Sequence, residues 1–508
     1  MIPMFSMGLF TVLMLPVYLA LRYPFFRLPL HIDTGFYVSN HTICTRKINL
    51  SKGWNAHFAG CSKVIPELFY SLIYLLHGGT RYKFYSRLYY SLYNYGTAIL
   101  IGYGAYVLGG ESEILYYGGL ITFCMISSEP HYGVYFESAE QFELPFQVIG
   151  FLLIVLGLEG RNPYFVAGGF GVWVLGSFFI KLSSLIGGSI FGLGIVLLCP
   201  ASLPYVALAG LIGLGLYVAW VSMNGRSVLE LIKPLIGHES YFEHRFRFDH
   251  YVDRAVKKTS FLYKISSAVP VVPGLAVLGA VVIGDKINPL LLYLVAVAAT
   301  YFFQAAQVWY YAIPFLPPLA ILAAFGAVSL SDQGVNGLAA MWLLGIVWLG
   351  VHLGQAHGRL MLRGLESLNR YAWQPHGTFM ADKNLRLEEI VPVLRSHVRG
   401  RRMFVFGAWN QAYVLLDTSY DTPLVSAARW LDSVASDWQR NLNRRLLTDT
   451  PEYLLDTDDC LDVEAIRRRM GLDFRLAVAP SPQFRLFALN GSNHLEKPDL
   501  DCRSFTVP

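Results

Sequence analysis

Long apolar segments recur along the chain from its first residues to about residue 354. A helix needs roughly 20 predominantly apolar residues to cross a bilayer, and these segments approach or exceed that length. The pattern therefore predicts eleven membrane-spanning helices. They lie near residues 4–22, 85–108, 113–129, 143–158, 164–180, 184–199, 204–222, 262–284, 288–306, 308–328 and 336–354.

The composition supports a polytopic α-helical membrane protein. Of the 508 residues, 54% are hydrophobic and only 15% are charged, and the mean hydropathy is +0.42. Soluble proteins usually carry about 25% charged residues. The share of charged residues rises after Arg359, so we predict a transmembrane domain over 1–354 and a small soluble α/β domain over 375–508.

Two loops are much longer than the others, and both follow odd-numbered spans. They cover residues 23–83 and 224–260. Because the predicted number of spans is odd, both loops and the C-terminal domain share one side of the membrane. Apolar residues recur at helical spacing after Pro66 and again after Asn224, which predicts interfacial helices in these loops.

Two signals disagree about which side of the membrane this is. Basic residues near the span ends favour the cytoplasm by the positive-inside rule. They are Arg81, Lys83, Arg87, Arg226, Arg245, Arg247 and Lys258. Four cysteines favour an oxidising compartment, since Cys44 and Cys61 share the first long loop and Cys460 and Cys502 share the C-terminal domain. We favour the extracytoplasmic side, because basic residues there can bind anionic ligands.

The stretch "HIDTGFYVSNHTI", residues 31–43, places an acid and two imidazoles where the first span leaves the bilayer. His31, Asp33 and Tyr37 are its candidate functional residues. Asp33 also has an ordinary explanation, because an aspartate at a helix N-cap stabilises the helix by about 1 kcal/mol.

A second candidate stretch, "SSEPHYGVYFESAEQFELPF", joins spans three and four on the same side. Acids this close to a bilayer are costly unless they are paired or functional, although solvated loop carboxylates are the simpler explanation. Glu140 is the leading candidate because it immediately precedes the apolar run of span four. Glu129 and His131 are the other candidates.

Lys181 ends the Gly-rich fifth span in "GSFFIKLSS". A lysine at the end of a span commonly extends its ammonium group into the interface, and that is the ordinary explanation for it. Together with the cations of the long loops, Lys181 could instead bind a lipid phosphate.

Taken in order, these segments resemble the GT-C class of integral membrane glycosyltransferases, in the branch of the protein O-mannosyltransferases and lipid A aminoarabinose transferases. The matching pieces are "DTGFY", "KVIPELFY", "FYSRLYYSL", "AEQFELPF", "GGFGVWVLGSFFIKLSS" and "WYYAIPFLPPLAILAA". In these pieces, the residues that match functional positions of the family are Asp33, Tyr37, Lys63, Arg87, Glu140 and Lys181.

The chain departs from the family pattern at two places. Thr34 stands where a second acid often follows the first. Trp309 or Tyr310 replaces a basic residue of the family, so no catalytic cation is carried over there. The tail fits the pattern, since "RRMFVFGAWNQAYVLL", "PEYLLDT" and "FRLFAL" predict the strands and helix of an α/β domain.

The resemblance implies an inverting glycosyltransferase of a bacterial inner membrane that takes its sugar from a polyprenyl-phosphate donor on the extracytoplasmic face. The acceptor would be a glycan, lipid or protein. Asp33 would be the general base, with Glu140 as the second acid. The cations expected to hold the donor phosphate are Arg87, Lys63 and Lys181, with Arg245 and Arg247 behind them.

No organic cofactor and no nucleic acid partner are expected, and no Gly-rich nucleotide loop is visible in the sequence. A divalent metal is an alternative. His31 with Asp33 and Glu129 with His131 could meet from two loops as a mixed nitrogen and oxygen site that suits zinc or manganese.

Three other functions remain open from the sequence. A transporter or flippase of a lipid-linked or anionic solute would explain buried charge and many spans, but such proteins often show repeated halves, and we find no repeat. A polysaccharide polymerase or ligase would place its polar residues mainly in one large late loop. A non-catalytic assembly scaffold is the third.

We predict that loops 23–83 and 224–260 and the domain 375–508 are extracytoplasmic, with the N-terminus inside. Single cysteines introduced there should react with a membrane-impermeant maleimide in intact cells. Labelling that requires permeabilised cells would reverse the orientation, and with it the extracytoplasmic donor.

Overall fold

The structure is a computed structural model, and only part of the chain is described in it. The described residues are 6–27, 30, 34, 37–38, 64–77, 81–128, 137–223, 256, 259, 262, 271–284, 287–303, 309–331, 377–399, 401–406, 409, 411–416, 418, 426–427, 446–448, 450–457, 461–481 and 484–490.

Apolar helices make up most of the described chain. The first seven are α1 (Met7–Leu21), α2 (Tyr23–Arg27), α3 (Val64–His77), α4 (Tyr82–Leu108), α5 (Glu113–Ser127), α6 (Ala139–Glu159) and α7 (Pro163–Ile180). They are followed by α8 (Leu185–Leu198), α9 (Leu203–Met223), α10 (Val271–Val282), α11 (Ile287–Phe303) and α12 (Leu316–Ser331). Short 3-10 turns occupy Leu182–Ser184, Pro200–Ser202 and Trp309–Phe315.

Ten of the eleven predicted spans coincide with these helices, and the eleventh, 336–354, lies outside the described residues. Within the described chain, four helices are long and apolar enough to cross a membrane. They are Ala139–Glu159, Pro163–Ile180, Pro200–Met223 and Ala312–Leu330. A mainly helical structure with several apolar helices is therefore confirmed, while the number of membrane spans stays a prediction.

Helices α6 and α7 form a close antiparallel pair because glycine lies at their crossing. A Cβ atom on Gly150 would lie only 2.7 Å from the backbone oxygen of Gly169, and the reverse substitution would meet the backbone of Gly150. Small residues are what allow membrane helices to approach at backbone distance. The turn between the helices ends at Asn162, whose side chain caps α7 by accepting from the amide of Tyr164.

Helices α10 and α12 approach in the same way. A Cβ atom on Gly279 would meet the backbone of Leu322, and one on Gly326 would meet the backbone of Leu275. Helix α6 also contains Pro145, which interrupts its hydrogen-bond ladder within the first two turns of the helix.

The chain divides into two compact units. The first contains Met1–Leu28, Arg87–Trp220 and Phe248–Thr378. The second contains Pro29–Ser86, Val221–Arg247 and Phe379–Pro508, so parts of both long loops are grouped with the C-terminal region. Helix α3 in the second unit confirms the predicted helix after Pro66, and it buries Tyr70, Ile73 and Tyr74.

The C-terminal region is α/β, as its sequence predicts. Its elements are α13 (Gly377–Val398), β1 (Met403–Phe406), α14 (Gln411–Leu416), β2 (Ser426–Ala427), β3 (Tyr453–Asp456), α15 (Val463–Met470), β4 (Phe474–Ser481) and β5 (Phe484–Leu489). The sheet order is β2-β1-β3-β5-β4, with the first three strands parallel and the last two antiparallel to their neighbours.

The register of this sheet buries apolar side chains of its three central strands. Phe404 of β1 pairs with Leu454 of β3, and Leu455 pairs with Leu486 of β5. Asp456 ends β3 in a fully buried position, where Arg485 of β5 donates to its carboxylate at 2.5 Å.

We predict that Gly169→Ala lowers the stability of the α6–α7 pair. The added methyl group meets Ile154 Cγ1 at 2.7 Å and the backbone of Gly150, and overpacking of this kind typically costs about 1–3 kcal/mol. Thermal unfolding of the detergent-solubilised protein measures this. Gly168→Ala is the matched control, because nothing lies within 4 Å of a Cβ atom there. Equal melting temperatures for both variants would contradict the packing argument.

Candidate active site

A group of charged side chains lies where several helices of the first unit begin or end. Arg22 follows the last residue of α1, Ser127 ends α5, and Phe25 lies in the short helix α2. The Arg22 Nη1 donates to the backbone oxygen of Ser127 at 2.6 Å, and its guanidinium lies 4.2 Å from the centre of the Phe25 ring. Arg22 is fully buried, and its guanidinium contacts a carbonyl oxygen and an aromatic face.

Arg87 forms a buried ion pair at the same place. Its Nη1 lies 3.0 Å from Glu137 Oε2, and neither side chain is more than 1% exposed. The Arg87 guanidinium also lies 4.2 Å from the centre of the Phe25 ring, so two arginines contact one aromatic side chain. Removing one member of such a pair typically costs about 3–5 kcal/mol, because the other charge is left buried without compensation.

Lys181 and Glu140 form the second buried pair. Glu140 is in the first turn of α6, where a carboxylate is favoured by the helix dipole. Helix α7 ends at Ile180, and Lys181 takes an extended backbone conformation directly after it. The Lys181 Nζ contacts Glu140 Oε1, and the two side chains are only 14% and 3% exposed. The structure therefore joins two residues that the sequence singled out separately.

Glu143 lies one helical turn after Glu140, on the same side of α6. It is 1% exposed, and the Ser184 side chain is the polar group beside its carboxylate. Lys181 is near enough to act on it electrostatically. One ammonium group is thus close to two carboxyl groups, and it contacts that of Glu140.

Other polar contacts are buried along α6, on both sides of Glu143 in the sequence. The hydroxyl of Tyr93 donates to the backbone oxygen of Phe142 at 2.8 Å, and the hydroxyl of Tyr293 lies 3.4 Å from Gln147 Oε1. Polar side chains inside an apolar bundle are rare and commonly line a path for a substrate or an ion.

Of the other predicted site residues, only Tyr37 is described. It is fully buried in the second unit, and its ring stacks on that of Tyr70 with centres 5.6 Å apart. Seven candidates lie outside the described residues, so their proposed roles stay predictions. They are His31, Asp33, Lys63, Glu129, His131, Arg245 and Arg247.

Two members of the buried group, Arg22 and Glu137, were not assigned a role from the sequence. The signal for Arg22 is an arginine that closes the first apolar run, in "LALRYPF". Glu137 is one of four acids before and within the start of span four, and the sequence offers no rule for choosing among them. Only the contact with Arg87 distinguishes it.

The four residues of the alternative metal site, His31, Asp33, Glu129 and His131, all lie outside the described part of the chain. Among the described residues, no group of three or more histidine, cysteine, aspartate or glutamate side chains could hold a metal ion. The charged group at the helix ends contains two cation–acid pairs, Arg87–Glu137 and Lys181–Glu140. Such a pair can bind a phosphate if the phosphate takes the place of the carboxylate.

No protein-family model and no curated protein matches the sequence. Solved structures do match the fold. The structure of ArnT from Cupriavidus metallidurans bound to undecaprenyl phosphate superposes with a TM-score of 0.60 at 15% identity, over 95% of this chain and 98% of that one. The apo structure of the same protein gives a TM-score of 0.55 at 12% identity, over 94% and 97% of the two chains.

ArnT is a lipid A aminoarabinose transferase of the GT-C class. The resemblance stated from the sequence motifs is therefore confirmed as a likeness of fold that extends over nearly the whole chain. At this level of identity the likeness shows the fold alone: this chain has the fold of ArnT.

Proposed function

We propose that this protein is an inverting glycosyltransferase that moves a sugar from a polyprenyl-phosphate donor to an extracytoplasmic glycan, lipid or protein acceptor. The observation that carries the proposal is the buried Lys181–Glu140 pair at one end of an ArnT-type helical bundle. The ArnT structure with undecaprenyl phosphate supports a polyprenyl phosphate as the ligand class.

The reaction asks for a base and for a group that stabilises the departing phosphate. The acceptor hydroxyl gives its proton to the carboxylate of Asp33 as its oxygen attacks the anomeric carbon. The bond from that carbon to the donor phosphate oxygen breaks on the opposite face of the sugar, and its electron pair stays on the phosphate. Inversion follows from this single displacement, and the products are the glycosylated acceptor and the polyprenyl phosphate.

Lys181 is the leading candidate for the phosphate cation among the described residues. Its ammonium group lies at the end of an apolar helix, where a lipid headgroup would sit, and it already balances one carboxylate. A phosphate at this place would compete with Glu140 for Lys181. Since a fixed cation requires no reorganisation as charge develops on the leaving group, it favours the transition state over the ground state.

Arg87 is the second candidate for the cation that binds the donor phosphate, and its surroundings differ from those of Lys181. Its guanidinium is held between Glu137 and the Phe25 ring and is more deeply buried than Lys181. An arginine can serve two anions at once through its several donors, so the pair with Glu137 is compatible with a further contact to phosphate.

The alternative class is a transporter or flippase of a lipid-linked or anionic solute. Incubation of the purified protein with a radiolabelled polyprenyl-phosphate sugar and candidate acceptors separates the two. Transfer or hydrolysis of the label supports the enzyme. Movement of intact donor across a liposome membrane without cleavage would support the flippase instead.

Asp33→Asn tests the general base. Asparagine caps a helix nearly as well as aspartate, so a capping role predicts normal expression and nearly normal transfer. A general base contributes roughly 10²- to 10⁴-fold, and asparagine cannot take the proton. We expect normal melting temperature and donor binding with transfer reduced at least about a hundredfold. Near-full activity would assign Asp33 to a cap and remove it from the mechanism.

Lys181→Met and the double variant Lys181→Met with Glu140→Gln test the buried pair. The single variant leaves Glu140 without its counter-charge and should lose about 3–5 kcal/mol of stability. The double variant removes both charges, so its melting temperature should recover. Its transfer rate should stay about 10- to 100-fold low, with a raised KM for the lipid donor, because one charge-assisted phosphate contact is worth about 1.5–3 kcal/mol.

Glu159→Gln is the matched control for the pair, because Glu159 lies exposed at the opposite end of the same helix. It should leave melting temperature and donor KM unchanged. Full activity of the double variant would assign the Lys181–Glu140 pair to structure alone.

A further inference from the structure

An apolar groove with a volume of about 270 Å³ lies between helices α7 and α9 of the first unit. Leu208 and Ile212, which line it, are more than half exposed, so the groove is open at the surface. Small residues give it room, because a helix without large side chains leaves space beside its neighbour. They are Ala167, Gly168, Gly171, Ala209 and Gly213.

The groove is closed at one end and bordered by tyrosines at the other. Beyond its closed end the ring of Phe178 stacks on that of Tyr217, with centres 5.0 Å apart. Tyr164 and Tyr205 line the groove near the starts of the two helices, and their ring centres are 4.8 Å apart. Tyrosines near helix ends are typical of the interface between membrane and water. The open end is therefore the one away from Lys181, which follows the last residue of α7.

The two helices that form the groove are both long and apolar enough to cross a membrane. Only 22% of the apolar stretch of Pro200–Met223, which contains α9, is buried. The exposed side of a helix that crosses a bilayer meets hydrocarbon chains. The groove therefore opens to lipid.

The length of the groove distinguishes between the apolar partners that a membrane offers. From Tyr164 to Leu175, α7 rises about 17 Å, at about 1.5 Å per residue. Half of a hydrocarbon core of about 30 Å is about 15 Å, so the groove spans one leaflet. A transmembrane helix needs about the full 30 Å and is about 10 Å wide, which is too long and too broad for this groove. A single acyl chain is thin enough and has the required length.

A cation lies at the open end of the groove. Arg161 immediately precedes Asn162, the residue that caps α7, and it is exposed. Its guanidinium group can donate two hydrogen bonds to one phosphate. Glu159, two residues earlier, is exposed as well, so an anion at this turn is held by direct contact with Arg161 and not by the net charge of the turn.

We propose that this groove binds one acyl chain of an anionic phospholipid, in the leaflet away from Lys181, with the phosphate of its headgroup at Arg161. The chain supplies the packing contacts that the small residues leave unmade between α7 and α9. The site lies at the opposite end of α7 from the proposed donor phosphate, and it does not depend on the proposed glycosyl transfer.

Three variants of the full-length protein separate the chain from the headgroup. Gly168→Leu fills the groove, since Gly168 lines it and nothing lies within 4 Å of a Cβ atom there. Gly215→Leu is the matched control on α9, because its Cβ atom also meets nothing within 4 Å but the residue does not line the groove. Arg161→Gln removes the cation and leaves both helices unchanged.

Native mass spectrometry of the delipidated protein measures its affinity for dioleoyl phosphatidylglycerol, which is anionic, and for dioleoyl phosphatidylcholine, which is zwitterionic. The wild type should bind one phosphatidylglycerol more tightly than phosphatidylcholine. Gly168→Leu should weaken binding about 5- to 100-fold, because the chain and the added side chain compete for the same space. Gly215→Leu should bind as the wild type does. Arg161→Gln should lower only the affinity for phosphatidylglycerol, about fivefold.

Thermal unfolding gives a second readout. Added phosphatidylglycerol should raise the melting temperature of the wild type and of Gly215→Leu, but not that of Gly168→Leu. Equal lipid binding by the wild type and Gly168→Leu would overturn the inference, as would equal affinity of the wild type for the two lipids. A wild-type dimer that Gly168→Leu dissociates would assign the groove to a second copy of the chain and also overturn it. If Gly168→Leu does not fold, the comparison of the two lipids in the wild type and Arg161→Gln still decides.

Discussion

The organisation of this protein depends on the cost of charge inside an apolar helical bundle. An ion removed from water loses several kcal/mol of hydration, and only a nearby opposite charge with good geometry returns it. The first unit meets this condition by pairing Arg87 with Glu137 and Lys181 with Glu140 where the helices end. Under the proposed function, a phosphate entering there would not find an empty cationic pocket. At Lys181 it would replace a carboxylate that is already in place, so donor binding would be an exchange of partners.

The rest of the bundle serves to bring those ends together. The α6–α7 pair, joined by a turn at Asn162 and crossing at Gly150 and Gly169, carries Glu140 at its first residues and Lys181 just beyond its last. Two helices packed at backbone distance leave little freedom for relative sliding. The close approach of the two helices at these glycines thus helps to hold Glu140 and Lys181 near each other.

The sequence predicts the architecture better than it predicts the site. Apolar runs of sufficient length located the described spans, and the strands of the tail followed from short apolar runs between turns. Glu140 and Lys181 could be predicted as site residues, because a charged side chain at the end of a span is costly unless it is paired or functional. The contact between them could not be predicted, because the periodicity of apolar residues does not indicate which helix ends meet. The same limit explains Arg22 and Glu137: their long-range partners depend on tertiary packing, and no local pattern in a single sequence encodes it.

Pro145 removes one backbone hydrogen bond near the start of helix α6. Proline has no amide hydrogen, so the carbonyl of the residue four positions earlier, Gln141, loses its helical partner. The first turn, with Glu140, is joined to the remainder of the helix by fewer backbone bonds than a regular helix would provide. The contact between Glu140 and the ammonium group of Lys181 is a further restraint on this turn. An anion that took the place of Glu140 at Lys181 would remove this restraint and leave the turn held by its remaining backbone bonds alone.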